Sequence, residues 1–167
     1  MNVTAVIPAR DESASEKILR NISAFPFFEA VIVIGKNPSV QRNEGVKEAG
    51  GDIIYFLDDD SVINKNSVIR ALNDFKDDGN IAVVGGPAEP FASDSPVQKV
   101  FSEVLGSFLA SGKSGARYKA KGKKRLSGEK ELILCNMLVK KEAFLSAGGF
   151  RKELYPNEEN EFLNRLK

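Results

Sequence analysis

Short apolar runs alternate with helical patterns over the first half of the chain. Runs of this length with almost no polar residue indicate strands that are buried on both faces, as in a parallel sheet. Between the runs, apolar residues recur at helical spacing, as Ile69, Leu72 and Phe75 do. This alternation predicts an α/β fold of three layers, α/β/α, with a mostly parallel central sheet. The predicted strands are residues 3–7, 30–34, 53–57 and 81–84.

Capping residues mark the starts of the predicted helices. Ser13 with Glu16 has the pattern of a capping box for the first helix. Ser39 and Asn66 are the predicted N-caps of the second and third helices. Pro26 is predicted to end the first helix, because proline lacks the backbone donor and clashes with the preceding turn.

The second half begins with an amphipathic helix and continues into a basic segment. Residues 111–130 hold eight basic residues against one acid. One interpretation is a mobile, solvated loop. The other is a lid that faces a polyanion, such as a diphosphate or an anionic lipid head group, because Arg binds phosphate oxygens in a forked geometry. The amphipathic helix is predicted from Val97, Val100, Phe101, Val104, Leu105 and Phe108.

A strand at 132–139 and a short helix at 141–147 complete the predicted core. Asn136 interrupts this strand, and it is either a ligand contact or a hydrogen-bonded residue near the sheet edge. A last helix begins after residue 155, with several acids in its first turn. The helix dipole and free N–H groups are expected to keep these carboxylates ionised.

Three adjacent acids follow the third strand directly. Asp58, Asp59 and Asp60 therefore lie at the carboxyl end of a predicted parallel strand, the edge where α/β sheets bind ligands. On an extended backbone, Asp58 and Asp60 would share one side. Adjacent carboxylates repel each other, and a hard cation such as Mn²⁺ or Mg²⁺ would relieve this repulsion. A solvated acidic turn before the next helix is the alternative.

Composition narrows the class of protein. The 167 residues suffice for one domain, and a net charge of +1 gives no general preference for nucleic acid or membrane. The single Cys135 and the absence of His exclude an internal disulfide and a Cys/His zinc site. A cytoplasmic location is expected. Proton transfer is left to carboxylates, Lys, Tyr or Cys135. Only one aromatic interrupts the basic segment, so nucleic-acid binding is not predicted.

Several motifs together resemble one family. The sequence VIPARDE at residues 6–12, the three acids at 58–60, GGF at 148–150 and NEENE at 157–161 occur in the order typical of glycosyltransferase family 2. These enzymes are inverting nucleotide-sugar transferases of the GT-A fold. The resemblance covers nearly the whole chain, and it implies that Mn²⁺ or Mg²⁺ is the cofactor.

The resemblance also assigns roles to residues. It implies Asp60 as the metal ligand, with Asp58 on the metal or the nucleotide ribose, and Glu159 as the catalytic base beside Glu158. The basic segment and the interrupted strand supply candidate contacts to the diphosphate or acceptor, namely Arg117, Tyr118 and Asn136. The implied donor-nucleotide residues are Pro8, Ala9, Arg10, Glu12, Arg42, Asp58 and Asp59.

Three departures from the family pattern stand out. An acidic motif usually follows the second strand and contacts the base, but residues 35–39 read GKNPS here. The acidic pair before the last helix is Glu158-Glu159, where the family usually has Glu-Asp. Family members also continue well beyond this helix, so we expect a C-terminally truncated domain.

The predicted function is metal-dependent, inverting sugar transfer from a nucleotide-diphosphate donor to a hydroxyl of a carbohydrate or lipid-linked acceptor. Such a reaction fits cell-envelope polysaccharide synthesis in the cytoplasm, with peripheral association at the inner face of the membrane. Residues 1–87 form the predicted nucleotide-binding half, and 88–167 form an incomplete acceptor and catalytic half. Two alternatives remain: a haloacid-dehalogenase-type phosphatase with Asp58 as nucleophile and Asp60 as acid/base, and a non-catalytic nucleotide-binding fragment.

Overall fold

A five-stranded mixed sheet forms the centre of the molecule. The computed structural model describes residues 1–22, 28–90 and 94–166. The strand order is β2-β1-β3-β5-β4, in which β1 is parallel to both neighbours and β5 is antiparallel to β3 and β4. The prediction of a mostly parallel sheet is confirmed. The strands are β1 (Val3–Ala9), β2 (Phe28–Ile34), β3 (Ile53–Phe56), β4 (Val83–Gly85) and β5 (Met137–Lys140).

Helices cover both faces of this sheet. The core on one face includes residues of α1 and α3, and the core on the other includes residues of α2, α6 and α7. The predicted three-layer architecture is therefore confirmed. The helices are α1 (Glu12–Ile22), α2 (Pro38–Glu48), α3 (Lys65–Asp77), α4 (Pro96–Gly106), α5 (Phe108–Ser111), α6 (Lys141–Ser146) and α7 (Glu158–Arg165).

The central strands are apolar on both sides because each side meets a helix layer. Ala5 and Ile7 belong to the core under α1 and α3, whereas Val6 between them belongs to the core under α2 and α7. None of the three has any exposed surface. The period of two along a strand directs alternate residues to opposite faces, which explains the unbroken apolar run.

A cluster of phenylalanines attaches the C-terminal helices to the sheet. Phe56 of β3 packs against Phe144 of α6 and against Phe150, and Phe162 of α7 closes the group. The ring centroids lie 4.9–5.4 Å apart in tilted or edge-on arrangements, which aromatic pairs prefer. This packing sets the position of α7 relative to the end of β3.

The predicted helix caps were wrong by two residues in all three cases. Ala14 N donates to the side chain of Asp11, so Asp11 caps α1 where a Ser13–Glu16 box was predicted. The observed caps of α2 and α3 are Asn37 and Asn64, whose side chains accept from the first helical N–H groups. Their predicted counterparts were Ser39 and Asn66. Pro26, the predicted end of α1, lies outside the described residues.

The predicted amphipathic helix after β4 is present but divided. Ser107 ends α4 and caps α5, where its side chain accepts from Ala110 N. The basic segment begins with the 3-10 helix Gly112–Arg117. The strand predicted at 132–139 is shorter than expected, because residues 134–136 form a turn of 3-10 helix before β5. In the described part of the chain, no helix is long and apolar enough to cross a membrane.

Candidate functional site

The crevice at the carboxyl ends of β1 and β3 is the natural ligand site of this sheet. The chain leaves β1 for β2 on one side and later returns to β3 on the other side, so β1 and β3 flank the topological switch point. Pro8 and Ala9 were predicted in the turn after the first strand, but they still belong to β1 and pair with β2. Arg10 and Glu12 follow and are exposed. All four therefore lie along or just beyond this end of β1.

Pro8 lies where the pairing of β1 with β3 ends, although β1 continues beside β2. Leu57 N donates to Val6 O at 3.3 Å, so the even-numbered residues of β1 direct their backbone groups toward β3. Pro8 faces the same side, but β3 ends at Phe56. As a proline, Pro8 cannot donate the next hydrogen bond of the β1–β3 ladder, and the pairing of the two strands ends at Val6 and Phe56.

The three acids at the end of β3 lie in a turn. Ser61 N donates to Asp58 O at 3.1 Å, and Asp58 N donates to Ser61 Oγ at 3.0 Å. The expectation that Asp58 and Asp60 share one side of an extended backbone was therefore wrong. The turn leaves Asp60 exposed and Asp59 half-buried at the mouth of the crevice.

Arg42 of α2 joins the end of β3 to the start of α7. Its Nη2 lies 2.7 Å from Asp58 Oδ1, and its Nη1 lies 3.2 Å from Glu158 Oε1. The side chains of Arg42 and Glu158 are 7% and 2% exposed, so this ion pair is buried, whereas Asp58 is 43% exposed. Arg42 was predicted to bind the donor nucleotide. In the structure its guanidinium pairs with two carboxylates of the candidate site.

Two neighbours of Arg42 also hold the site together, and sequence reasoning missed both. The amide of Gln41 donates to Ala9 O at 2.9 Å and to Val33 O, which fixes the ends of β1 and β2. Asn43 exchanges two hydrogen bonds with the backbone of Phe150, at 2.7 and 2.9 Å. The available signal was a helix that covers a sheet yet carries four consecutive polar residues, at positions 41–44.

The two glutamates at the start of α7 have different partners. Glu158 pairs with Arg42, whereas Glu159 Oε1 lies 3.6 Å from Arg117 Nη1. Arg117 also donates to Asn160 Oδ1 and to the backbone carbonyl of Glu129. The 3-10 helix thereby brings one of the predicted diphosphate ligands, Arg117, next to the predicted base.

Burial controls the pKa of Glu159. Loss of hydration raises its pKa above the ordinary 4.5, and the backbone N–H and the Arg117 guanidinium offset this only in part. The helix start was expected to keep this carboxylate readily ionised, and that expectation was wrong in direction. A carboxylate with a raised pKa holds a proton more strongly, which suits a general base.

Burial also raises the pKa of two other groups near the crevice, Asp58 and Cys135. It raises the pKa of Asp58, although the charge and hydrogen bond of Arg42 act in the opposite direction. It raises the pKa of the Cys135 thiol to about 11, with a smaller contribution from Asp58. Near neutral pH this thiol is protonated, so Cys135 is a poor candidate for the proton acceptor.

Asn136 and Tyr118 occupy different surroundings. Asn136 Nδ2 donates to Pro87 O at 2.9 Å, and its Oδ1 accepts from Tyr55 Oη at 3.0 Å. The structure thus favours the interpretation of Asn136 as a hydrogen-bonded residue near the sheet edge. Tyr118 is half-buried directly after the 3-10 helix, and its N–H donates to Gly115 O at 3.3 Å.

The donor set at the crevice fits a hard cation that arrives with a diphosphate. Among residues 1–22, 28–90 and 94–166, no three Cys, Asp or Glu side chains converge on a ready-made metal site. Mg²⁺ in nucleotide sites is nevertheless bound by one or two carboxylates together with substrate phosphates. Asp58 is 43% exposed and Asp60 is exposed, so the chain supplies two such carboxylates that solvent can reach. Mn²⁺ favours the same oxygen ligands.

Comparison with known proteins identifies the family. The family model described as glycosyl transferase family 2 matches residues 3–146. The chain belongs to glycosyltransferase family 2. The resemblance to this family is therefore confirmed, and the phosphatase interpretation is disfavoured. The match includes the motifs at residues 6–12 and 58–60, whereas residues 148–161 lie beyond it. No curated protein matches the chain in sequence.

Solved structures confirm the GT-A fold at low sequence identity. TarS of S. aureus superposes on this chain with a TM-score of 0.68 and 14% sequence identity. The superposition covers 99% of this chain and 33% of the TarS chain. The mannosyltransferase PcManGT from Pyrobaculum calidifontis, solved in complex with GDP-Man and Mn²⁺, gives 0.64 at 14% identity, with 99% and 51% covered. A TarS structure in complex with UDP-GlcNAc gives 0.62 at 15%, with 99% and 53% covered. The chain thus spans about a third to a half of these proteins.

Proposed function

We propose that this domain transfers a sugar, with inversion, from a nucleotide-diphosphate donor to a hydroxyl acceptor. The observation that carries the proposal is the pairing of Arg42 with both Asp58 and Glu158, which joins the end of β3 to the start of α7 at the switch-point crevice. Displacement at an anomeric carbon requires two groups of side chains at one crevice. One group of carboxylates binds the sugar donor, and the other contains the general base.

The proposed reaction is a single displacement. The acceptor oxygen attacks the anomeric carbon, a new carbon–oxygen bond forms, and the bond to the diphosphate oxygen breaks. The nucleoside diphosphate leaves with the electron pair, and the acceptor proton passes to Glu159. Glu159 suits this role better than Glu158, because Glu158 is 1% exposed and paired with Arg42, whereas Glu159 is 7% exposed and its carboxylate lies 3.6 Å from Arg117.

Donor binding is assigned to the open ends of β1 and β3. Pro8, Ala9 and Arg10 line the nucleotide, with Glu12 and Asp59 at the edge of the same crevice. Asp60 and Asp58 would hold Mn²⁺ or Mg²⁺, and the cation would neutralise charge on the departing diphosphate. Arg42 acts on the donor through Asp58. The PcManGT complex with GDP-Man and Mn²⁺ supports this assignment as an analogy of fold.

The proposal assigns different roles to the two halves of the chain. Residues 1–87 bind the nucleotide, and residues 88–167 supply the base and the acceptor side. Arg117 and Tyr118 contact the diphosphate or the acceptor, with Asn136 as support behind them. A carbohydrate or lipid-linked hydroxyl is the proposed acceptor, used on the cytoplasmic side of the cell envelope.

A thermal-shift screen tests donor binding directly. UDP, GDP and ADP, and the matching nucleotide sugars, are added with and without Mn²⁺. A ligand at 100 times its dissociation constant adds about 2.7 kcal/mol to the free energy of unfolding. We expect one nucleotide to stabilise the protein only with the cation. Stabilisation by no nucleotide under either condition would contradict the proposed donor site.

A further inference from the structure

The divided helix after β4 presents its apolar side to solvent. Within α4 the apolar positions recur three and four residues apart, so they share one side of the helix. Phe101 and Phe108 are 64% and 74% exposed, and Leu109 is 99% exposed. A shallow groove of about 410 Å³ runs along this helix. We call this the α4–α5 surface, formed by Val97, Val100, Phe101, Val104, Leu105, Phe108 and Leu109.

Basic residues lie beside the α4–α5 surface. Lys119 Nζ is 2.7 Å from Glu103 of α4, which ties the basic segment to the helix and neutralises an acid there. Lys113 and Lys123 are exposed, and among the described residues no carboxylate lies within 4.0 Å of either ammonium group. Lys124 and Arg125 pair with Asp74 and Glu131, each at 2.7 Å, and Leu126 directly after them is 96% exposed.

The 3-10 helix Gly112–Arg117 connects the α4–α5 surface to the candidate site. Ala88 N, on the segment that leads from β4 to α4, donates to Arg117 O at 2.8 Å. The guanidinium of Arg117 in turn faces Glu159. The 3-10 helix that follows α5 therefore ends at a residue that pairs with the proposed base.

We propose that the α4–α5 surface and the adjoining basic residues dock the protein on an anionic lipid bilayer. The exposed Phe and Leu side chains enter the interface between head groups and acyl chains, and the ammonium groups of Lys113 and Lys123 meet the anionic head groups. A second copy of this chain is a poorer occupant, because pairing two such surfaces brings like charges together. Docking itself is independent of the proposed function, whereas delivery of a lipid-linked acceptor to Glu159 rests on it.

Vesicle flotation of the 167-residue protein tests the docking without donor, metal or turnover. We expect binding to phosphatidylcholine vesicles that contain about 30% phosphatidylglycerol, and much weaker binding to pure phosphatidylcholine. Raising the salt from about 0.1 M to about 1 M shortens the screening length from about 10 Å to about 3 Å and should release the protein. Equal binding to both vesicle types, or none to either, overturns the proposal.

Matched variants locate the contact. Phe101→Ser with Phe108→Ser should lower the partition coefficient more than about 10-fold. Lys113→Gln with Lys123→Gln should lower it about 5-fold for each charge. The apolar control is Leu19→Ser with Leu145→Ser, and the charge control is Lys47→Gln with Lys76→Gln. All four residues are exposed on other helices, so both control variants should bind vesicles as well as the unchanged protein does.

Two further outcomes count against the proposal. If the Phe101 and Phe108 variants bind vesicles as well as their controls, the α4–α5 surface is not the contact. If sedimentation shows a dimer that these same variants abolish, the surface belongs to a second copy of the chain. Circular dichroism confirms that each variant is folded, which is expected because all of these side chains are exposed.

Discussion

Arg42 Nη1 lies 3.2 Å from Glu158 Oε1, although the two residues are 116 positions apart in the chain. The same guanidinium is 2.7 Å from Asp58, on the other side of the crevice. One buried cation thus sets the distance between the acids at the end of β3 and the start of α7. Removing one partner of a buried ion pair leaves an uncompensated charge in the interior. Substitution of Arg42 therefore tests whether this pair holds the two acidic segments together.

Arg42→Ala is expected to reduce the free energy of unfolding by about 3–5 kcal/mol, the usual cost of breaking a buried pair. Urea unfolding followed by circular dichroism measures this change. Arg10→Ala is the control, because Arg10 is exposed and a surface substitution changes stability by about 0.5 kcal/mol or less. A loss below about 1 kcal/mol in Arg42→Ala would mean that the pair contributes little to the fold.

The sheet was predictable from sequence, whereas the direction of β5 was not. Runs such as residues 30–34 and 53–57 are buried on both faces, and burial of this kind leaves a local apolar signature. The direction of a strand depends on the path of the preceding chain, so β5 could not be distinguished from a parallel strand.

The predictions of the helix caps failed for a local reason. Pro38 at the first helical position already favoured Asn37 over Ser39 as the cap.

The acidic clusters of the site were predictable, but their connection was not. Asp58 to Asp60 follow an apolar run directly, and Glu158 and Glu159 precede a helical pattern. Arg42 appears in sequence as one polar residue on a polar helix. Its pairing with two distant carboxylates depends on how α2 and α7 pack on the sheet, which no local pattern encodes.

Asp60→Ala is expected to abolish Mn²⁺-dependent donor binding while the fold stays intact. Asp60 is exposed in the turn after β3, so its removal should change the free energy of unfolding by about 0.5 kcal/mol or less. Isothermal titration calorimetry with the nucleotide identified by thermal shift measures the binding. Asp77→Ala, at the exposed end of α3, is the matched control. Unchanged affinity in Asp60→Ala would remove this residue from the metal site.

Gly45→Ala tests the close approach of α2 to β1. A Cβ at Gly45 would lie 2.6 Å from Val6 Cγ1, so the helix must shift or a core side chain must move. We expect a loss of about 1–3 kcal/mol in the free energy of unfolding, as in other overpacked cores. Gly79→Ala is the control, because its Cβ would have nothing within 4 Å and its φ is not positive. That variant should be unchanged or more stable by about 0.4–1 kcal/mol.

The raised pKa of Glu159 predicts a pH dependence of stability. The unfolded chain ionises this group near 4.5, and the folded protein ionises it at higher pH. Between the two pKa values the folded state binds more protons, so the free energy of unfolding contributed by this group falls as the pH rises through that window. Glu159→Gln removes the effect and should gain stability relative to the unchanged protein as the pH rises above about 4.5.

Glu131→Gln is the control of opposite sign. A hydrogen bond from Ser127 and the charge of Arg125 lower the pKa of Glu131 below 4.5 despite some loss of hydration. Its contribution to stability is present above the unfolded pKa and is lost as the pH falls through the folded value. Glu131→Gln should therefore lose stability relative to the unchanged protein as the pH rises. Parallel curves for the two variants would contradict the assigned shifts.

Glu159→Gln is also expected to lower turnover by roughly 10²–10⁴-fold, the usual contribution of a general base, with donor affinity nearly unchanged. The substitution keeps the size of the side chain and removes its ability to accept the acceptor proton. Transfer or donor hydrolysis, measured against pH, provides the readout. Because the carboxylate must be ionised to act, the acidic limb of the pH–rate profile of the unchanged protein should lie above the ordinary pKa of 4.5.

Glu158→Gln serves as the comparison, since Glu158 is paired with Arg42 and its loss should act mainly on stability. If Glu158→Gln is inactive and Glu159→Gln is fully active, the base is the residue that faces Arg42. Full activity in both would place the proton acceptor elsewhere in the crevice.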